Sequence, residues 1–251
     1  MKAPNFNLAG KRALITGGSR GLGFYAAKAL VQAGAHITLV ARSKESLESA
    51  QEELKGAGYN CEILKLDITD SRAVDASLEN NQPYQILVNN AGMNRPKNLA
   101  DLKNEDIDAV LDLNVKAVFY VTRKVTQQLL ATNLSGSIIN ISSQMGIVGS
   151  PRRTLYCASK HAIEGMTKAL AWELGPNNIR VNTICPTFIH TDMTASMLTD
   201  PEFHDWVIQK IALGRIGQPE EIMGAVVFLA SSASSLVTGS ALMLDGGWSA
   251  A

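Results

Sequence analysis

The chain has 251 residues, long for one domain but within reach of a single α/β unit. Hydrophobic residues make up 46% and charged residues 18%, which fits a globular chain with a large core. Twenty-three basic side chains balance 23 acidic ones, so nothing in the charge points to a polyanion partner or an anionic membrane surface.

Short β-branched runs alternate with longer amphipathic ones. Strands are expected at Arg12–Thr16, Ile37–Ala41, Cys61–Leu66, Ile86–Val88, Ser137–Ile141, Arg180–Ile184 and Ala241–Leu244. Helices are expected between them, among others at Leu22–Ala33, Ser46–Lys55, Glu105–Ala131, Thr154–Leu174 and Pro219–Ser231. This order predicts an α/β class: a doubly wound parallel sheet with helices on both faces. Continuous apolar strands such as ITLVA and ILVN suit burial on both sides. No linker, repeat or charge block divides the chain, so residues 1–251 read as one domain. The least regular stretch, 187–215, is broken by Asp200-Pro201 and Gly214 and is expected to cover a pocket.

Cys61, Cys157 and Cys185 have no metal spacing, and one is left over from any pairing, which suits a reducing cytoplasm. The opening run MKAPNFNLAGKRALITGG lacks a signal peptide's apolar stretch, and no apolar run reaches membrane length. His36, His161, His190 and His204 show no ligand spacing, so no metal is expected.

The first strand runs straight into Gly17-Gly18-Ser19-Arg20-Gly21-Leu22-Gly23 and then a helix. Such glycines permit a tight turn and close approach of the backbone to a pyrophosphate at the helix N-terminus. The spacing is GxxxGxG rather than GxGxxG. Far downstream, Tyr156 and Lys160 stand four residues apart and share a helix face. An ammonium one turn from a phenol is expected to lower the tyrosine pKa, fitting it to move a proton near neutral pH. A dinucleotide turn and a tuned phenol together describe hydride transfer between a nicotinamide and an alcohol or carbonyl.

With these motifs the sequence resembles the short-chain dehydrogenase/reductase family over nearly its whole length. Thr16-Gly17-x-x-x-Gly21-x-Gly23, Asn89-Asn90-Ala91-Gly92, Asn114, Ser143, Tyr156-x-x-x-Lys160, Asn182 and Pro186 occur in order. The resemblance implies a seven-stranded Rossmann sheet, often a homotetramer, and catalytic roles for Asn114, Ser143, Tyr156 and Lys160. The family's serine lies thirteen residues before its tyrosine, which selects Ser143 over Ser142. Asn114 would hold a water linking Lys160 to solvent. Thr187 replaces the glycine that many members carry after Pro186 and would narrow the space beside the nicotinamide. The resemblance places cofactor contacts at Gly17, Ser19, Arg20, Gly21, Leu22 and Gly23, at Arg42 and Ser43, and at Asp67 and Ile68. It adds Asn90, Ala91 and Gly92, then Tyr156 and Lys160, and finally Pro186, Ile189 and Thr191.

The family's acidic ribose-binding position falls on Ala41, followed by Arg42 and Ser43, with Arg20 projecting from the glycine turn toward the same corner. Two guanidinium groups and a hydroxyl would surround a 2′-phosphate, so the expected cofactor is NADP(H). The expected reaction interconverts a ketone or aldehyde and a secondary alcohol. The segment from Asp200 to Ser232 is similar to gluconate 5-dehydrogenase-like and 3-oxoacyl-carrier-protein reductase-like members. A non-catalytic NADP-binding sensor on the same fold, or an NAD-dependent polyol or sugar-acid dehydrogenase, is the alternative. Phe188, His190, Met193 and Trp206 either touch substrate or pack. Arg152 and Arg153 would pair with a substrate carboxylate if they face the pocket, and loop arginines are otherwise commonly solvated. Ala162, Ile163, Met166, Ala169 and Leu170 exceed one buried stripe and, with Trp248, are expected at subunit contacts.

Overall fold

Seven strands form one parallel sheet in the order β3-β2-β1-β4-β5-β6-β7. The computed structural model describes residues 3–250, apart from the side chains of Met193 and Ser196. The strands are β1 (Arg12–Thr16), β2 (His36–Ala41), β3 (Cys61–Lys65), β4 (Ile86–Asn89), β5 (Gly136–Ile141), β6 (Ile179–Pro186) and β7 (Ala241–Leu244). Each expected strand is present; β1 and β7 keep the expected bounds, and the other ends move by at most two residues. The helices are α1 (Gly21–Gln32), α2 (Lys44–Gly56), α3 (Ser71–Leu78), α4 (Asn104–Leu111) and α5 (Ala117–Ala131). They continue with α6 (Thr154–Leu174), α7 (Asp192–Leu198), α8 (Pro201–Lys210) and α9 (Met223–Ala230).

Alternation along the strands builds a core on each face of the sheet. Ala13 and Ile15 of β1, with Ile86 and Val88 of β4, pack against Leu30 of α1, Leu47 and Leu54 of α2, and Val226 and Leu229 of α9. Leu14, Leu87 and Ile138 face the other way, onto Val74 and Leu78 of α3, Val121 and Val125 of α5, and Leu174 of α6. Every one of these side chains is at most 2% exposed. Polar residues at the strand ends are thereby held rigidly. The chain order reverses beside β1, whose neighbours are β2 and β4, and a crevice opens there at the carboxyl ends of the strands.

Two expectations change. The single helix expected over Glu105–Ala131 is α4 and α5 joined by one π turn, Asp112–Lys116, with Asn114 buried inside it. A π turn widens the helix and re-aims its side chains. The 187–215 stretch is more regular than expected, because Asp200-Pro201 starts a helix rather than breaking one. Asp200 caps α8 by accepting from the Glu202 and Phe203 N–H groups, and Pro201 takes the first helical position.

Candidate active site

The glycine turn closes against the end of β4. Asn90 Nδ2 donates to the carbonyls of Thr16 (3.1 Å) and Gly17 (3.0 Å), while the Thr16 hydroxyl accepts from the Asn90 and Ala91 N–H groups. A Cβ on Gly23 would stand 2.2 Å from the Gly17 carbonyl oxygen and 2.3 Å from Asn90 Nδ2, so only glycine fits. Gly21 takes φ +54°, and a Cβ there would meet nothing nearer than Thr191 Cγ2 at 3.9 Å, so Thr191 borders the turn from across the crevice. Helix α1 starts at Gly21 without a side-chain cap and with no acid in its first turn. Its first N–H groups therefore lack intrahelical acceptors. Uncapped donors, a helix dipole and bare glycine backbone fit a dinucleotide pyrophosphate.

At the end of β2, Ala41 leaves the acidic position empty of charge. Arg20 and Arg42 are exposed, and among the described residues neither has an ion-pair partner. The Ser43 hydroxyl caps α2 by accepting from the Ser46 N–H (3.1 Å) and donates to Glu45 (2.8 Å). Ser19 Oγ accepts from the Ser46 hydroxyl nearby. Asp67 accepts from Thr69 N and Oγ1. Burial pushes its carboxyl up, but those bonds and the Arg42 charge outweigh it and hold the carboxyl below its usual range. Ile68 is buried in the core beneath β2, and Leu22 is partly buried against the opposite core. Pro186 ends β6, buried Ile189 pairs with Gly217, and Thr191 caps α7.

The four expected catalytic residues converge beside this crevice. Ser143 follows β5 and caps a short 3-10 turn, accepting from Met145 N (3.1 Å) and donating to Gln144 Oε1 (2.9 Å). Tyr156 enters from the first turn of α6 and shares with Ser143 a cleft of about 260 Å3. Lys160, 6% exposed, sends Nζ to the Ile141 carbonyl (2.8 Å) and lies 5.5 Å from the centre of the Tyr156 ring. The Asn114 amide ties the site to the β4 loop. It accepts from Met93 N (2.8 Å) and donates to Met93 O (2.9 Å) and to Ser159 Oγ (3.1 Å). A Cβ on Gly92 would stand 3.3 Å from Asn114 Oδ1 and 3.8 Å from Lys160 Nζ, so glycine keeps that spot open between them. Ser142 does not line the cleft. Asn182 straps β6 to the loop before β7 through Val237 O and Ser240 N.

The electrostatics correct the sequence reading. Burial pushes the Tyr156 phenol up to about 12, although hydrogen bonding to Ser143 pulls the other way. The expected lowering by Lys160 is not seen, because ring and ammonium sit in the same desolvated corner. Burial pulls Lys160 down to about 8, opposed by Cys185 and by Glu164 one turn further along α6. In this chain by itself the phenol therefore holds its proton at neutral pH, which is the state a proton donor needs.

The cleft also contains Asn94, Gln144, Arg153, Thr187 and Phe188. Asn94 and Gln144 carry no sequence signal beyond position, just past the NAG motif and just past Ser143. Trp206 and Trp248 have a packing role instead: they meet edge-on at 5.5 Å and join Phe188 and Phe203 in one aromatic cluster. Trp248 stays partly exposed while it packs on Phe188 and Trp206. His190 is exposed, and the Met193 side chain lies outside the described residues. Ile163 and Met166 are buried inside the chain, against Val118 of α5. Among the described residues no cluster of acids, histidines and cysteines could hold a metal. No helix among them is long and apolar enough to cross a membrane.

Residues 17–249 match the family model described as enoyl-(acyl carrier protein) reductase. The chain is 39% identical over 246 residues to gluconate 5-dehydrogenase of Gluconobacter oxydans, covering 96% of each chain. It is 40% identical over 245 residues to 3-oxoacyl-[acyl-carrier-protein] reductase of Thermotoga maritima, covering 96% of this chain and 98% of that one. Its fold superposes with TM-score 0.95 and 32% identity on a gluconate 5-dehydrogenase from Burkholderia cenocepacia in complex with NADP and tartrate, covering 99% of this chain and 98% of the other. Motifs, sheet order and relatives agree: the chain belongs to the short-chain dehydrogenase/reductase family and is an oxidoreductase.

Proposed function

We propose that the protein reduces a ketone to a secondary alcohol with NADPH, and that Ser143, Tyr156, Lys160 and Asn114 carry the chemistry. The observation behind this reading is the shared cleft of Ser143 and a protonated Tyr156, placed at the crevice where the glycine turn opens. The reduced nicotinamide, when bound, supplies the hydride that the carbonyl carbon takes up. Negative charge then grows on the substrate oxygen. The Ser143 hydroxyl turns from Gln144 to that oxygen and stabilises it. Tyr156 gives the oxygen its proton. The Lys160 ammonium stabilises the phenolate left behind, and a second lone pair on Asn114 Oδ1 holds a water that returns the proton from solvent. Arg20 and Arg42, with no acid at position 41, favour the 2′-phosphate of NADPH over the bare ribose of NADH. Glu45 beside Ser43 works against this preference but is outnumbered by the two cations.

In this reading the whole chain is one cytoplasmic domain, with residues 187–215 covering the substrate. It assembles as a homotetramer through the outer faces of α5 and α6, where Phe119 is 49% and Trp172 87% exposed. Light scattering at micromolar concentration tests the assembly, and a monomer there contradicts it. The reaction is tested by NADPH oxidation across a panel of small ketones, with NADH in parallel. Turnover with NADPH supports the reading. Cofactor binding without turnover on any ketone would instead favour a sensor.

A further inference from the structure

Arg153 is a charged side chain that the mechanism above does not use. It stands just before α6, three residues from Tyr156, and is 8% exposed. Its neighbour Arg152 is exposed and takes φ +60°, which turns the chain so that the second guanidinium, not the first, enters the protein. Arg153 lines the same cleft as Ser143 and Tyr156. Its polar contacts are weak: Nη2 lies 3.2 Å from the Met197 sulfur and Nη1 3.5 Å from the Arg152 carbonyl. Among the described residues no carboxylate pairs with it. A guanidinium taken out of water without a counter-ion is costly unless another group completes the site. Two further polar atoms in the cleft share this condition. Among the described residues, Asn94 Oδ1 and Thr187 Oγ1 are buried and have no hydrogen-bond partner.

We propose that Arg153 is the specificity residue of the site, and that it binds the carboxylate of a small hydroxylated acid. Asn94 and Thr187 read hydroxyl groups on the same molecule, one as acceptor and one as donor. The planar, five-donor guanidinium matches a carboxylate in bidentate fashion. Oriented polar atoms on the other walls suit a polyhydroxy chain better than a hydrocarbon one, since each would otherwise be left unpaired. The cleft, about 260 Å3, is of a size that takes a sugar-sized acid. Pairing the anion with Arg153 and the reacting oxygen with Tyr156 fixes both ends of the substrate. The inference deepens the reductase reading, and rests on it only for which oxygen reacts.

Its test is a binding measurement that needs no turnover. D-Gluconate and D-sorbitol share six carbons and five hydroxyl positions and differ at C1, carboxylate against hydroxymethyl. Isothermal titration of the NADP⁺-saturated protein should show gluconate bound at least tenfold more tightly than sorbitol. In Arg153→Gln, gluconate affinity should fall about a hundredfold and the preference vanish. Arg153→Lys should retain part of it, since the charge stays and the bidentate geometry goes. Equal wild-type affinity for the two probes overturns the proposal, as does unchanged gluconate binding in a folded Arg153→Gln protein. Displacement of gluconate by equimolar inorganic phosphate would also overturn it, because the site would then be a general anion site. If the preference holds but no ketone is reduced, it is the reductase reading that fails, not the anion site.

Discussion

Gly23→Ala tests whether the glycine turn is built as described. The new Cβ would stand 2.2 Å from the Gly17 carbonyl oxygen and 2.3 Å from Asn90 Nδ2, far inside van der Waals contact. Neither neighbour can yield easily. One is backbone, and the other bonds the Thr16 and Gly17 carbonyls. Overpacking of this kind costs about 1–3 kcal/mol. Losing the two Asn90 bonds adds about 0.5–1.5 kcal/mol each. Helix propensity opposes both, since alanine within α1 is favoured over glycine by about 1 kcal/mol. The clash wins, leaving a net loss of about 1–5 kcal/mol. For a chain of this size that lowers Tm by about 2–20 °C. If that backbone holds the pyrophosphate as proposed, NADPH affinity should fall by at least tenfold as well. Gly56→Ala is the control: it closes α2, and nothing lies within 4 Å of a Cβ there, so it should be near neutral. Thermal melts with and without NADPH, and a binding titration, supply the measurements. A Gly23→Ala protein that melts within 2 °C of wild type and binds NADPH as tightly would refute the reasoning.

Ala41→Asp with Arg42→Leu removes a cation and adds an anion at the end of β2. The ratio of kcat/KM for NADPH to that for NADH should fall from above one to below it, and an unmoved ratio would place the 2′-phosphate elsewhere. Ser143→Ala should reduce turnover by about a hundredfold, the scale of one lost oxyanion donor. Ser142→Ala, outside the cleft, should cost far less, and the reverse ranking in steady-state assays would reassign the serine. The pH profile should lose activity as Lys160 gives up its proton, near pH 8. Glu164, buried and accepting from the Thr183 hydroxyl and the Cys185 thiol, favours the ammonium. Glu164→Gln therefore lowers the Lys160 pKa and should move that limb to lower pH. A limb that stays put or moves up would show that Glu164 does not act on Lys160.

Much of the site is legible in sequence because it is set by local spacing. The thirteen residues from Ser143 to Tyr156 and the four from Tyr156 to Lys160 identify side chains that the fold brings together. The strands are legible for the same reason, as β-branched runs of fixed length. What escapes depends on distant parts of the chain. The Tyr156 phenol rises rather than falls because burial is tertiary, and spacing along α6 carries no information about it. Asn114 looks like an ordinary helix polar residue until Met93 is known to lie across from its amide. Ile163 and Met166 look surplus to one stripe because α6 packs against Val118 as well as the sheet. Arg152 and Arg153 are adjacent in sequence, and only the positive φ of Arg152 separates them. Ser43 and Asp200 each stand just before a helix, and both carry a capping signal that the fold uses.

The central claim is that the Tyr156 phenol donates the proton that completes reduction. Tyr156→Phe removes one oxygen from a ring otherwise held by its packing. The measurement is kcat/KM for a reducible ketone with NADPH, set beside NADPH affinity in the same protein. That kcat/KM should fall about 10²-fold or more, with cofactor binding unchanged. Near-wild-type turnover in the phenylalanine protein would contradict the claim.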